Sequence, residues 1–235
     1  DTVFFGGGFE QTQIKAGTNI PATYLAYANT YGATSNSIPL TVGWSRDDRD
    51  SALAPNSGRY QRLNSEWSVA GDARYVRGNY QYQQYIPLNK RFTVAFNGEL
   101  GYGKGLNGRP FPVFKNFYGG GLGSVRVFEQ GSLGVIDPTG AYIGGASRIN
   151  VNTELYFPVP GTGNDKSLRI FAFADAGNVW GEDEKITGQT VRSSAGFGLS
   201  WISPVGPLKL SWGAPLKKQP TDRIQRFQFQ IGTAF

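Results

Sequence analysis

The chain closes on Ile224-Gln225-Arg226-Phe227-Gln228-Phe229-Gln230-Ile231-Gly232-Thr233-Ala234-Phe235. Successive side chains of a β-strand point to opposite faces. In a strand over residues 224–235, Phe227, Phe229, Ile231 and the terminal Phe235 share one face. Arg226, Gln228 and Gln230 share the other. One face is greasy and the other is wet. Taken alone, the pattern fits a half-buried strand of a soluble sheet and a membrane strand with lipid on one side equally well.

Composition separates the two. The 235 residues include 33 Gly, 12 Tyr, 16 Phe and 5 Trp. No stretch approaches the roughly 20 continuous apolar residues of a membrane helix. A barrel needs none, because only its lipid-facing positions must be apolar. His and Cys are both absent. That removes the usual general base, the commonest metal ligand and the thiol nucleophile. No enzymatic activity, metal or cofactor is expected. The 17 acidic residues are scattered, and the net charge of +6 contains no Lys/Arg run. The charge is therefore read as dispersed over loops and a lumen, with no nucleic-acid partner. No cleavable signal peptide is visible, so the chain reads as mature, cropped or not exported.

About ten segments alternate with period two. The first covers residues 2–15, with Val3, Phe5 and Phe9 together; the second covers 38–46, with Leu40, Val42 and Trp44. The third, 58–70, sets Leu63, Trp67 and Val69 against Asn64, Glu66 and Ser68. The fourth sets Val76, Tyr80 and Tyr82 against Arg77, Asn79, Gln81 and Gln83, and Gln83-Gln84 suggests a bulge. The fifth puts Phe92, Val94, Phe96, Leu100 and Tyr102 opposite Thr93, Asn97 and Glu99. The sixth puts Val151, Thr153, Leu155 and Phe157 opposite Asn150, Asn152 and Glu154. The seventh has Leu168, Ile170, Ala172 and Ala174 on its apolar face, with Arg169 and Asp175 opposite. The eighth has Phe197, Leu199 and Trp201 against Arg192, Ser194 and Ser200; the ninth has Leu208, Leu210 and Trp212 against Lys209 and Ser211. The tenth is the terminal strand.

The polar faces are rich in Asn, Gln, Ser and Gly, which suits a hydrated interior better than an outer surface. Trp44, Tyr102, Trp201 and Trp212 end apolar faces, as at membrane interfaces. Connections alternate too. Two odd-to-even connections, 16–37 and 105–145, are long, whereas 88–90, 161–166 and 204–207 are tight. Short turns on one side and long loops on the other are a habit of outer-membrane barrels. The expected fold is all-β: one antiparallel transmembrane barrel of about ten strands over residues 1–235.

The connection 105–145 is too long to be idle in a compact domain. It contains Phe117-Tyr118-Gly119-Gly120-Gly121 and Val125-Arg126-Val127-Phe128. No helix pattern or Gly-Lys-Ser/Thr ending follows the glycines, so a phosphate cradle is rejected. Further segments stand in a fixed order: Gly43-Trp44-Ser45-Arg46-Asp47-Asp48, Glu154-Leu155-Tyr156-Phe157-Pro158, Phe173-Ala174-Asp175-Ala176-Gly177-Asn178, Ser203-Pro204-Val205-Gly206-Pro207, and the C-terminal strand. Together these make the whole chain resemble the BamA-type outer-membrane barrel-assembly factors.

The resemblance implies a bacterial outer-membrane location and a non-covalent role in assembling and inserting other β-barrels. It implies that loop 105–145 folds into the lumen as a plug. By position, Arg126 of the family's Val-Arg-Gly-Phe motif then meets wall acids Glu154 and Asp175. The last strand, with Phe227, Phe229, Ile231 and Phe235, is implied as both signal and gate, opening to pair with a nascent strand. Partners implied are outer-membrane lipid, nascent barrels and accessory assembly lipoproteins, with self-association through open edges.

The chain departs from the family in three places. Val127 stands where the family has Gly, which matters if the backbone there takes φ > 0. Val135-Ile136 stands where a Pro-containing turn is expected. Only the last ten of sixteen family strands are matched, without the POTRA modules. A truncated closed barrel acting as scaffold or plugged pore, and a two-partner secretion transporter, are the alternative readings.

Overall fold

Alternating apolar residues, β-branched and aromatic, cannot bury a stripe as a helix but line one face of a pleated strand. The computed structural model describes residues 1–15, 17–161, 167–204 and 206–232. Phe235 and most of the turn expected at 161–166 fall outside them. The strands are β1 (Thr2–Gly7, resumed at Glu10–Gln13), β2 (Thr34–Asp47), β3 (Gly58–Gly71), β4 (Tyr75–Pro87) and β5 (Thr93–Gly105). They continue as β6 (Ser147–Pro158), β7 (Leu168–Trp180), β8 (Arg192–Ser203), β9 (Gly206–Lys217) and β10 (Phe227–Ile231). The two pieces of β1 keep one register against β2, from Thr2↔Ser45 to Gln13↔Thr34, so they act as one strand. Every strand pairs antiparallel with its sequence neighbours, β1 to β10 in order. Among the described residues no ladder joins β1 to β10. Over those residues the hydrogen-bonded wall is open, and both outer strands are edges.

The sheet has two chemically distinct faces. Leu63, Trp67, Phe96, Leu100, Phe197 and Trp212 are exposed on the outside. Asn150, Asn152, Glu154, Asp175, Ser194, Lys209 and Gln228 are buried on the inside. Tight turns follow local chemistry. Between β4 and β5, Leu88 N–H donates to the Phe92 carbonyl at 2.9 Å. The Asn89 side chain accepts from the N–H groups of Arg91 and Phe92 at 2.8 and 2.9 Å, an Asx turn.

Three expectations are corrected. Gln83 and Gln84 carry no bulge, since Gln83↔Asn97 and Gln84↔Phe96 continue an unbroken register. Gln84 sits on the outer face because the Tyr82 hydroxyl donates to it at 2.6 Å. Ladder irregularities fall instead at Ser37/Pro39 and Ser193/Ser194. The terminal strand is shorter than 224–235, because the backbone around Ile224 pairs with the long loop rather than with β9. Connection 48–57 is longer than these tight turns. It turns inward, and the buried Pro55 carbonyl accepts from Arg169 Nη1 at 3.2 Å. Val135-Ile136 forms a short ladder with Tyr142–Gly144. The Pro-containing turn comes just after it, closed by Gly140 N–H donating to the Asp137 carbonyl at 2.8 Å.

The long connection after β1 holds the helix α1 (Ala22–Tyr31). It lies over the outer end of loop 105–145. Tyr24 donates to the Val113 carbonyl at 3.2 Å, and Thr23 N–H donates to Asp137 Oδ2 at 3.1 Å.

Candidate functional site: the lumenal loop and the last strand

Loop 105–145 enters the concavity of the sheet because the inner wall is cut away by glycine. A Cβ on Gly103 would lie 2.3 Å from the Phe111 ring, and one on Gly101 would lie 2.8 Å from Phe117. Both rings occupy space that a side chain would take. Beyond them, Lys115 ends a short 3-10 turn, Val113–Lys115. Its Nζ donates to Glu10 on β1 and Glu66 on β3, each at 2.8 Å. Burial opposes the Lys115 charge, but the bonds to Glu10 and Glu66 outweigh it and raise its pKa above the ordinary lysine value.

The loop tip is wholly buried: Val125, Arg126, Val127 and Phe128 are each 0–1 % exposed. Arg126 Nε and Nη2 donate to the two oxygens of Asp175 at 2.7 and 2.6 Å. Its backbone N–H adds a third bond to Asp175 at 3.0 Å, and Nη1 donates to Glu154. The guanidinium plane lies over Phe173, 3.9 Å from the ring centroid. Bidentate pairing plus ring stacking fixes orientation as well as charge. Burial works against the guanidinium, but the charge of Glu154 and the bonds to Asp175 more than offset it, so the Arg126 pKa is raised.

Lys209 on β9 completes the cluster. It donates to Glu154 at 2.8 and 3.1 Å, while the Tyr156 hydroxyl donates to the same carboxylate. Two cations thus share two carboxylates, which is how a buried charge group stays tolerable. Reading the sequence placed Lys209 on the polar face without naming its partner. It also passed over Phe171 and Phe173, which face inward with Tyr156 and Ala95 and hold Val127. A signal for them exists: residues 168–174 are apolar at nearly every position, so β7 carries apolar side chains on its inner face as well as its outer one.

Val127 takes φ 77°. The position is one that favours glycine, yet the side chain is enclosed. It lies so close to the wall that a Cβ on Gly213 would come within 2.8 Å of its Cγ2.

From Val127 onward the loop touches the final strand. Gln225 N–H donates to the Val127 carbonyl at 2.7 Å, and Glu129 N–H donates to the Arg223 carbonyl at 3.0 Å. Phe128 and Ile224 form the bridge between them. Gln228 Oε1 accepts from Val127 N–H at 3.2 Å, and its Nε2 donates to the Phe128 carbonyl at 2.7 Å. On the outer face, Phe227, Phe229 and Ile231 are 48–63 % exposed. The loop therefore contacts both edges of the wall, β1 through Lys115 and β10 through its tip.

The Omp85 superfamily domain matches residues 1–235. The outer membrane protein assembly factor BamA of Neisseria meningitidis serogroup B is 38 % identical over 273 residues, covering 100 % of this chain and 34 % of that protein. The human sorting and assembly machinery component 50 homolog is 29 % identical over 207 residues, covering 80 % of this chain and 44 % of its own length. The crystal structure of Haemophilus ducreyi BamA lacking POTRA domains 1–3 superposes with a TM-score of 0.83 at 25 % identity, over 97 % of this chain and 53 % of that one. CdiB from Acinetobacter baumannii shares the fold with a TM-score of 0.53 at 16 % identity, over 83 % of this chain and 32 % of that one. The chain thus spans well under two thirds of these relatives. Matched from end to end by the family's domain, the chain belongs to the Omp85 superfamily.

Proposed function

We propose that residues 1–235 are a membrane-spanning part of an assembly factor that inserts β-barrel proteins into a bacterial outer membrane. They act there as one barrel unit, with loop 105–145 as its lumenal plug. The work is templating, without covalent chemistry. Lipid meets the outer face, a nascent barrel strand is the substrate, and accessory assembly lipoproteins are the further partners. Membership of the superfamily and the names of the relatives support this reading.

The observation that carries it is the free edge of β10. Gly213 N–H donates to the Arg226 carbonyl, and Gly232 N–H donates to the Pro207 carbonyl. These bonds set the alternation of the ladder, so residues 226, 228, 230 and 232 turn their backbone groups toward β9. Phe227, Phe229 and Ile231 turn theirs away, toward a side where no described strand lies. A row of unpaired N–H and C=O groups accepts an incoming strand by β-augmentation. β10 is also the shortest described strand of the wall, with five residues against 12–14 in β2 through β9.

The test grafts this chain into the Neisseria relative in place of the matching part and measures barrel insertion in proteoliposomes. Phe229→Pro removes one edge N–H but no bond to β9. Phe229→Ala controls for the lost ring. Insertion is expected to fall at least tenfold with Pro and much less with Ala. Equal activity of the two variants would refute edge templating.

A further inference from the structure

The loop tip and the last strand are joined more closely than a plug needs. We infer that Gln228 and the backbone of 223–225 form a latch, by which the lumenal loop controls how readily the last strand detaches. The inference rests on reading β10 as the strand that opens.

The contact is a small piece of antiparallel sheet inside the wall. Two backbone bonds, Gln225 N–H to Val127 and Glu129 N–H to Arg223, flank the Phe128/Ile224 bridge. Its strand residues continue directly into β10. Gln228, the first inward residue of β10, adds a side-chain carboxamide that behaves like one more peptide group. It accepts from Val127 and donates to Phe128. Gln228 is 6 % exposed, so water does not replace these partners freely. A carboxylate would keep the acceptor and lose the donor, and an apolar side chain would lose both. Detaching residues 223–228 from the loop therefore breaks four bonds that owe nothing to β9. The same tip is pinned on its other side by Arg126 to β6 and β7. A strand leaving β9 must either drag the loop off that anchor or give up the latch. Gln228 is a positioning residue here, acting through the loop backbone.

Amide hydrogen exchange of the chain in lipid nanodiscs tests this without any insertion assay, so the latch and edge templating fail separately. Gln228→Leu is expected to speed exchange at Gln225 and Glu129 about tenfold or more, with Gln228→Glu intermediate. Gln81→Leu, an equivalent change on the inner face of β4, is expected to leave both amides unchanged. Coupling is reciprocal, so Arg126→Ala must speed the β9-facing amides of Gln228 and Gln230. A disulfide adds an independent arm. Phe128 and Ile224 face each other as a non-hydrogen-bonded pair, with Cα atoms about 4.5 Å apart in such pairs, within disulfide reach. In the Phe128→Cys, Ile224→Cys variant, oxidation is expected to slow exchange at Gln228 and Gln230 severalfold relative to the reduced form. Unchanged exchange at Gln225 and Glu129 in Gln228→Leu, or at Gln228 and Gln230 on oxidation, would overturn the latch.

Discussion

Val127 holds a β-branched side chain at φ 77°, where a Cβ costs about 1–2 kcal/mol. Burial among Phe171, Phe173 and Tyr156 offsets that cost. Val127→Ala gives up about 1.5 kcal/mol of burial and keeps the strain. Val127→Gly gives up more burial but releases the strain. The Gly variant is expected to unfold at the same urea concentration as the Ala variant or higher; an ordinary strand position would place Gly about 1 kcal/mol below Ala. Arg126→Ala strands the buried Asp175 carboxylate, while Glu154 keeps Lys209, and is expected to cost about 3–5 kcal/mol. In a double-mutant cycle with Asp175→Asn, a coupling of at least about 1 kcal/mol is expected, and additive losses would mean the pair is incidental. Period-two alternation is enough to put Glu154 and Asp175 on the inner face. Nothing local points Arg126 at them, because the loop is irregular, and its partner set entered only through the family resemblance. Lys209 stayed hidden for a related reason: its carboxylate partner is 55 positions away in the chain.

At the scale of elements, the strands were readable because lipid outside and a wet lumen inside impose strict alternation. That same chemistry sets the next expectation. Phe96→Arg, on the lipid face of β5, is expected to cost about 2–4 kcal/mol in bilayer-based unfolding. Gln81→Arg, on the inner face of β4, is expected to cost less than about 1 kcal/mol. Equal costs would contradict the assignment of faces. Reading failed where pairing is not written locally. α1 has no apolar stripe, since only Tyr27 of its ten residues is buried, and periodicity therefore passed over it. The shortness of β10 depends on a loop about a hundred residues earlier taking the backbone of Gln225. The supposed bulge at Gln83-Gln84 was a polar residue on the outer face satisfied by its own neighbour, Tyr82.

For the whole molecule, sequential antiparallel order follows from short turns on one side and longer loops on the other. That no ladder joins β1 to β10 among the described residues does not follow from any pattern in the chain, because closure depends on which edges meet. Its consequence is a sheet whose last strand is held from inside by the loop and, among the described residues, unpaired along its outer edge. The most direct check is site-specific cross-linking at that edge during insertion of a client barrel by the grafted Neisseria protein. A photo-reactive residue at 227, 229 or 231 is expected to form adducts with one strand of the client, in a single register, before release. Insertion at the normal rate with no adduct at any of the three positions would contradict templating by β10.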